Sequence, residues 1–391
     1  MCLSSTYCES MLLMVHPSDV VPLCLPLFSD SERDIINSQK SSCYGGVHMQ
    51  RRIMTPGPLH DENGRLVEVG WATELIKMYD RSRIAVGRLR LKEWDYYAIV
   101  NDRFALALTV DHNGYMTMDS ISFLNFEEKS QVTASKISLP CIAKRDLPPS
   151  SEKGDIRVHG KGYELIFEND GKSRLLHGYM DNFSGRDKIS FDLLLTEAPR
   201  ESMVIVTPYK DHPEAFYYNQ KINCMRVFGK IEYQGNQYRC SPDDTFAVLD
   251  WGRGVWTYDN TWYWGSASGL HEGVSFGFNI GYGFGDTSAA SENVLFYNGE
   301  IHKLSEVRFN IPIKDGKEDY MSPWTFTSDD GRFEMSFDPV MDRAAKIDLK
   351  LIASDQHQVF GKFSGTAVLD DGRELEIRNL MGFAEKVRNK W

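Results

Sequence analysis

AVLDWGRGVWTYDNTWYWGSASG, Ala247–Gly269, holds four of the chain's eight tryptophans, together with Asp250, Asp259 and Arg253. Indole rings at that density bury much apolar area, and glycines such as Gly252 and Gly254 let a ligand or a second backbone approach closely. Trp262 and Trp264 stand two apart, so on a strand they share a face. Asp250 precedes a Gly-Arg-Gly that suggests a bulge or bend. A carboxyl among indoles is a candidate proton donor, since desolvation disfavours charge. If Arg253 pairs with Asp250, the two instead form a buried ion pair that pins neighbouring strands.

Outward from this stretch the pattern is β. Asn-Gly or Asp-Gly pairs stand at 63–64, 113–114, 170–171, 298–299, 315–316, 330–331 and 371–372. Such pairs favour the positive φ angles of tight hairpins. Short alternating runs flank them, as at Tyr163–Glu168, Val294–Tyr297 and Arg332–Phe337. Only Thr73–Tyr79 reads as a brief helix. Many short antiparallel strands predict an all-β fold, a sandwich or barrels, and barrel closure removes exposed edges. With 391 residues the chain exceeds the roughly 250–300 that one core supports, so two domains are expected. The boundaries read from the sequence are a disordered extension at 1–48, a first domain at 49–210 and a second at 211–391. No repeat of 20–50 residues is visible.

The formal net charge of -11 and the lack of a basic stripe exclude a nucleic-acid partner. No apolar run approaches the ~20 residues that span a bilayer. The seven cysteines form no CxxC pair, which reads as reduced thiols in a cytoplasmic protein. The histidines are scattered and His271-Glu272 is not followed by the second His of HExxH, so no metal site and no cofactor are expected.

Further candidates come from alternation and local clustering. The strand EWDYYAIV puts Trp94 and Tyr96 on one face, with Glu93, Asp95 and Tyr97 on the other. That second face reads as a charged outer surface, unless one face lines a cavity. In FYYNQK, Tyr217, Asn219 and Lys221 share a face. His177 with Asp181 reads as a base and its orienting acid, or as a turn with local hydrogen bonds. Gly281–Asp286 lacks GxGxxG spacing and reads as a bend relieved by glycine; Glu292 and Asn293 lie just beyond it.

Longer matches point to a family. GWATELIKMYDR (Gly70–Arg81), RLKEWDYYAI (Arg88–Ile99), FYYNQK (Phe216–Lys221), LDWGRGVW (Leu249–Trp256), TWYWGSASG (Thr261–Gly269) and GFAEKVRNKW (Gly382–Trp391) together resemble DUF2804, a family of unknown function. More distantly, Tyr217-Tyr218, Gly229, Leu249–Gly252 and Trp262–Trp264 are similar to elements of the carotenoid hydratase and AttH-like group. Leu249, Trp251 and Tyr263 depart from that group's pattern. The resemblance implies two calycin- or lipocalin-like barrels or half-barrels packed together, and a site for a small lipophilic ligand. It implies acid-catalysed conversion of hydratase, cyclase or isomerase type. On this reading Asp250 and Arg253 are the catalytic candidates. Trp256, Trp262, Trp264, Tyr217, Lys221, Asn293, Glu292, His177 and Asp181 are the substrate-binding ones. The alternatives are a non-catalytic carrier, and a carbohydrate-binding or glycoside-cleaving protein that uses Asp250 with Glu292 or Asp286.

Overall fold

The computed structural model describes residues 50–139, 145–348 and 353–390. The extension expected at 1–48 lies outside them. Two large antiparallel sheets hold nearly all of the strand residues, with no α-helix among the described residues. Each sheet curls into a half-barrel, a lipocalin-like arrangement. Thr73–Tyr79 is not helical: it contains the short strand Lys77–Met78. All seven predicted Asn-Gly and Asp-Gly glycines have positive φ, and Asn298 and Asp315 join theirs in the left-handed region. Gln234-Gly235 and Glu272-Gly273 make the same two-residue turn without an Asn or Asp to announce it.

The two sheets share one topology. The first runs in space from Ser130–Ser138 through Thr117–Asn125, Phe104–His112 and Leu91–Val100 to Phe246–Val255. It continues through His212–Tyr233, Asp187–Thr196, Arg174–Ser184 and Tyr163–Asn169 to Ile156–Gly160. The second runs from Glu300–Lys303 through Val294–Tyr297 and Val274–Tyr282 to Asp259–His271. From there it passes Glu374–Lys390, Ala353–Val368, Phe333–Asp348 and Trp324–Ser328 to Val307–Asn310. In each, the first and last long strands pair at the centre, and the two edge strands are neighbours in sequence. The repeat is one of topology, and no sequence repeat accompanies it.

The division expected at residue 210 falls in the turn joining Met203–Tyr209 to His212–Tyr233, and those two strands pair within the first sheet. The chain passes to the second sheet between Val255 and Asp259. The interior of the second half-barrel is filled by its own core, with Trp324, Phe278, Phe326, Phe333, Phe337 and Phe363 all buried. The first half-barrel's core extends across the junction to take in Phe360 and Phe383. At the junction Asn223 donates from Nδ2 to Ser266 Oγ (2.8 Å) and to the Phe278 carbonyl (3.0 Å). It stands where His212–Tyr233 breaks register between Ile222 and Met225, with Cys224 at φ 61. Cys224 and Cys240 are buried free thiols; the other five cysteines lie outside the described residues.

Candidate active site

Every residue of Phe246–Val255 is buried, so both faces of this strand are covered. Alternation sends Asp250 to one face and Arg253 to the other. Arg253 therefore does not pair with Asp250. Its guanidinium reaches Asp95 Oδ1 at 3.0 Å, donates to the carbonyls of Trp94 (2.8 Å) and Pro148 (2.7 Å), and lies over the Trp251 ring. It ties the Pro148 loop to the interior of the first half-barrel and does not line the cavity that Asp250 faces.

The face bearing Glu93, Asp95 and Tyr97 is likewise an interior one, not an outer charged surface. Burial pushes the Asp95 carboxyl up to about 6 against the pull of Arg253. Glu93 is also pushed up by burial, but the His112 ring 3.6 Å away and hydrogen bonds from Arg81 and Tyr79 overcome this and hold it at about 2.

The other face looks at the second sheet across a cavity of about 330 Å³. Asp250, Gly252 and Gly254 stand opposite Tyr96, Trp94 and Lys92. The Gly-Arg-Gly does not bulge, since its ladder to Leu91–Val100 is unbroken. Its glycines instead admit indoles. A Cβ at Gly252 would overlap the Trp94 ring, and one at Gly254 would press on Trp256. Trp94, Trp256, Trp262, Trp264 and Phe284 form the aromatic wall. Trp256 packs edge-on to Trp94 and to Trp262.

Two polar rows face each other across the junction. In the first sheet Lys221 is level with Asp250, and Asp250 with Tyr96. Lys221 Nζ meets Asp250 Oδ1 at 2.8 Å, and Asn219 Nδ2 donates to the same oxygen at 2.6 Å. Oδ2 has no partner among the described residues. In the second sheet Trp264, Glu385, Gln358 and Arg343 stand in line. Glu385 accepts from Trp262 Nε1 (3.0 Å) on Oε1 and from Gln358 Nε2 (2.9 Å) on Oε2. The rows touch where the Lys221 ammonium lies 4.2 Å from the Trp264 ring centroid, and where Tyr96 Oη is 3.3 Å from the Gln358 amide. Burial pushes Glu385 up to about 7, although Trp262, Arg343 and Lys221 oppose the shift.

Glu292 is behind this wall rather than in it. It accepts from Tyr217 Oη at 3.2 Å, and burial raises its carboxyl against the pull of Lys221. Tyr217 itself stacks on Phe284 with centroids 4.8 Å apart. Of the expected site residues, the catalytic candidate Asp250 and the ligand-binding candidates Trp256, Trp262 and Trp264 line the cavity, and Lys221 and Tyr217 stand on the next strand.

Four expected residues are elsewhere. Asn293 is a clamp within the second sheet, accepting from Gly281 N–H (2.7 Å) and donating to the Ser305 carbonyl (2.9 Å). His177 and Asp181 lie on Arg174–Ser184, with two strands between it and Phe246–Val255. Their neighbours are Glu168 and Lys188, not each other. Asp286 caps the Ser288 N–H in an exposed turn beside a separate open groove of about 680 Å³. That groove gathers no buried carboxyls or indoles. Neither Glu292 nor Asp286 lines the cavity that Asp250 faces.

The cavity residues not singled out from the sequence include Glu385, Gln358, Arg343, Lys92 and Asp111. Lys92 was accessible by alternation with Trp94 and Tyr96. Glu385 was accessible as the one charge on the apolar face Met381, Phe383, Glu385, Val387. No group of three or more His, Cys, Asp or Glu side chains stands together as metal ligands among the described residues.

A double half-barrel with an aromatic, carboxyl-bearing cavity between its sheets defines this chain as a lipocalin-like all-β protein. It belongs to the DUF2804 family, described as a domain of unknown function, which matches residues 50–391. No curated protein matches the sequence. Among solved structures, a protein of Nitrosomonas europaea described as an AttH superposes with a TM-score of 0.51 at 13% identity. That match covers 80% of this chain and 98% of the other, and shows the shared fold. Kievitone hydratase from Nectria haematococca superposes at 0.42 with 10% identity, over 85% of this chain and 98% of its own. CghA in complex with Sch210972 gives 0.42 at 9% identity, over 85% and 97%. Among the described residues no helix is long and apolar enough to cross a membrane.

Proposed function

We propose that the cavity between the half-barrels binds a small, mostly apolar, unsaturated molecule with one polar end and transfers a proton to it. The observation that carries this reading is a pair of cavity-facing carboxyls in unlike surroundings. Asp250 is set against an ammonium, while Glu385 sits between an indole N–H and an amide and is pushed up to about 7. Two carboxyls with environments this different divide naturally into an acid and a carboxylate.

In this reading Glu385 delivers the proton, a part the sequence suggested for Asp250. Asp250, ion-paired with Lys221, stabilises the positive charge that develops on the substrate. The π faces of Trp256, Trp262 and Trp264 add to that stabilisation. At about 330 Å³ the space lies at the low end of the roughly 300–1,000 Å³ typical of small-molecule sites.

The test uses small alkenes with one polar end (geraniol, citronellic acid, cinnamyl alcohol) incubated with the protein in deuterium oxide. Mass spectrometry of the products is expected to show deuterium at a former alkene carbon. Glu385→Gln is expected to slow this by about 10²-fold or more. Binding without deuterium uptake would make the protein a carrier. Uptake equal in the wild type, Glu385→Gln and Asp250→Asn would remove both carboxyls from the chemistry.

A further inference from the structure

The cavity has a second polar end. Lys92, Trp94 and Tyr96 alternate onto its wall from Leu91–Val100. Lys92 is opposite Gly254 and Tyr96 opposite Asp250, so the two ends are separated by four residues of strand, about 13 Å. Next to Lys92, Asp111 projects from Phe104–His112 at the level of Trp94 and Met118. The hairpin Asn113–Met116 closes over both. Lys92 Nζ donates to the Asn113 carbonyl at 3.2 Å and lies 4.5 Å from the Tyr115 ring centroid. Lys92, Asp111, Asn113, Tyr115 and Met116 all line the cavity. An amine and a carboxyl thus stand together at the opposite end from Asp250 and Glu385.

We infer that this end takes a carbonyl group of the ligand, an aldehyde or ketone, and holds it as a reversible imine on Lys92 with Asp111 as the acid. The inference rests on the reading of the cavity as a ligand site and names the class of group that occupies its second end. In the step, the Nζ lone pair adds to the carbonyl carbon, and one amine proton passes to the oxygen. Asp111 then protonates that oxygen, which departs as water. The nitrogen keeps its last proton and becomes the iminium, paired with the Asp111 carboxylate.

The surroundings suit each partner to its part. Burial lowers the Lys92 ammonium to about 7 against the pull of Asp111, so an unprotonated amine is available near neutral pH. Burial likewise raises the Asp111 carboxyl to about 7, although the Met118 N–H and Asn113 donate to it. A carbonyl here leaves the rest of the molecule along the indole wall, with its far end beside Glu385.

The test is reductive trapping with 3-phenylpropanal and cyanoborohydride, followed by peptide mapping. Lys92 is expected to be alkylated about tenfold faster than any other lysine, and Lys92→Arg to lose that site while remaining folded by near-ultraviolet circular dichroism. Asp111→Asn is expected to slow trapping at Lys92 about tenfold. Labelling spread over exposed lysines with Lys92 unmodified would overturn the inference. An Asp111→Asn rate equal to the wild-type rate would overturn the part given to Asp111. Quenching of tryptophan fluorescence by the same aldehyde separates the two readings. Quenching without a Lys92 adduct sinks the imine alone. No quenching and no adduct sinks the ligand site with it.

Discussion

Lys221→Met is expected to lower the free energy of unfolding by about 3–5 kcal/mol, read from denaturant midpoints at pH 7. Lys221 is 1% exposed, and its ammonium is the cation paired with Asp250 while also drawing on Glu292. Methionine fills much the same volume but leaves two buried acidic side chains without it. The ammonium's contact with the Trp264 ring is lost as well. Asp250→Asn keeps the shape and the neighbouring Asn219 but removes the charge. The double variant Lys221→Met/Asp250→Asn is therefore expected to lose less than the sum of the two single changes. Additivity within about 0.5 kcal/mol would show that the pair is not coupled.

The second large effect is on pH dependence. The Glu385 carboxyl lies near 4.5 in the unfolded chain and at about 7 in the folded one. The folded state thus holds this proton more tightly, and stability falls as pH rises from 4.5 through 7. The wild type is expected to lose about 2–3 kcal/mol across that window through Glu385 alone. Asp111 and Asp95, raised to about 7 and about 6, act in the same direction, and Glu93, held at about 2, has already made its contribution by pH 4.5. Glu385→Gln removes its share of the fall, so the variant gains on the wild type between pH 4 and pH 8. Gln358 can turn its amide to accept from the new side chain, since Tyr96 Oη is 3.3 Å from both ends of that amide. Parallel stability curves for the two proteins would contradict the assignment.

Much of the fold was legible because its signals are local. The Asn-Gly and Asp-Gly turns, the TWYWGSASG alternation and the shared face of Tyr217, Asn219 and Lys221 all follow from two or three adjacent residues. The site was legible only in part. Phe246–Val255 is buried on both faces, so period-2 alternation separates Asp250 from Arg253 without saying which face meets the cavity. The Asp250–Arg253 pair, the alternative that closeness in sequence suggests, does not form. The true partners, Lys221 for Asp250 and Asp95 for Arg253, come from neighbouring strands 29 and 158 residues away. Glu385 required knowing that the last long strand returns to pair with Asp259–His271. Asn293 and His177 look functional in sequence because polar residues cluster there, but the hydrogen bonds of Asn293 serve a strand junction and His177 stands on a sheet surface beside Glu168. The cavity itself lies between the sheets and not inside a barrel, a placement set by the Phe-rich core that fills the second half-barrel.

The most direct test of the central claim is mass spectrometry of an organic-solvent extract of the purified protein, beside Asp250→Asn prepared in the same way. The account predicts a compact, unsaturated lipophilic molecule, accumulating unconverted in Asp250→Asn. A bound sugar, or an extract of both proteins no different from the buffer blank, would contradict it.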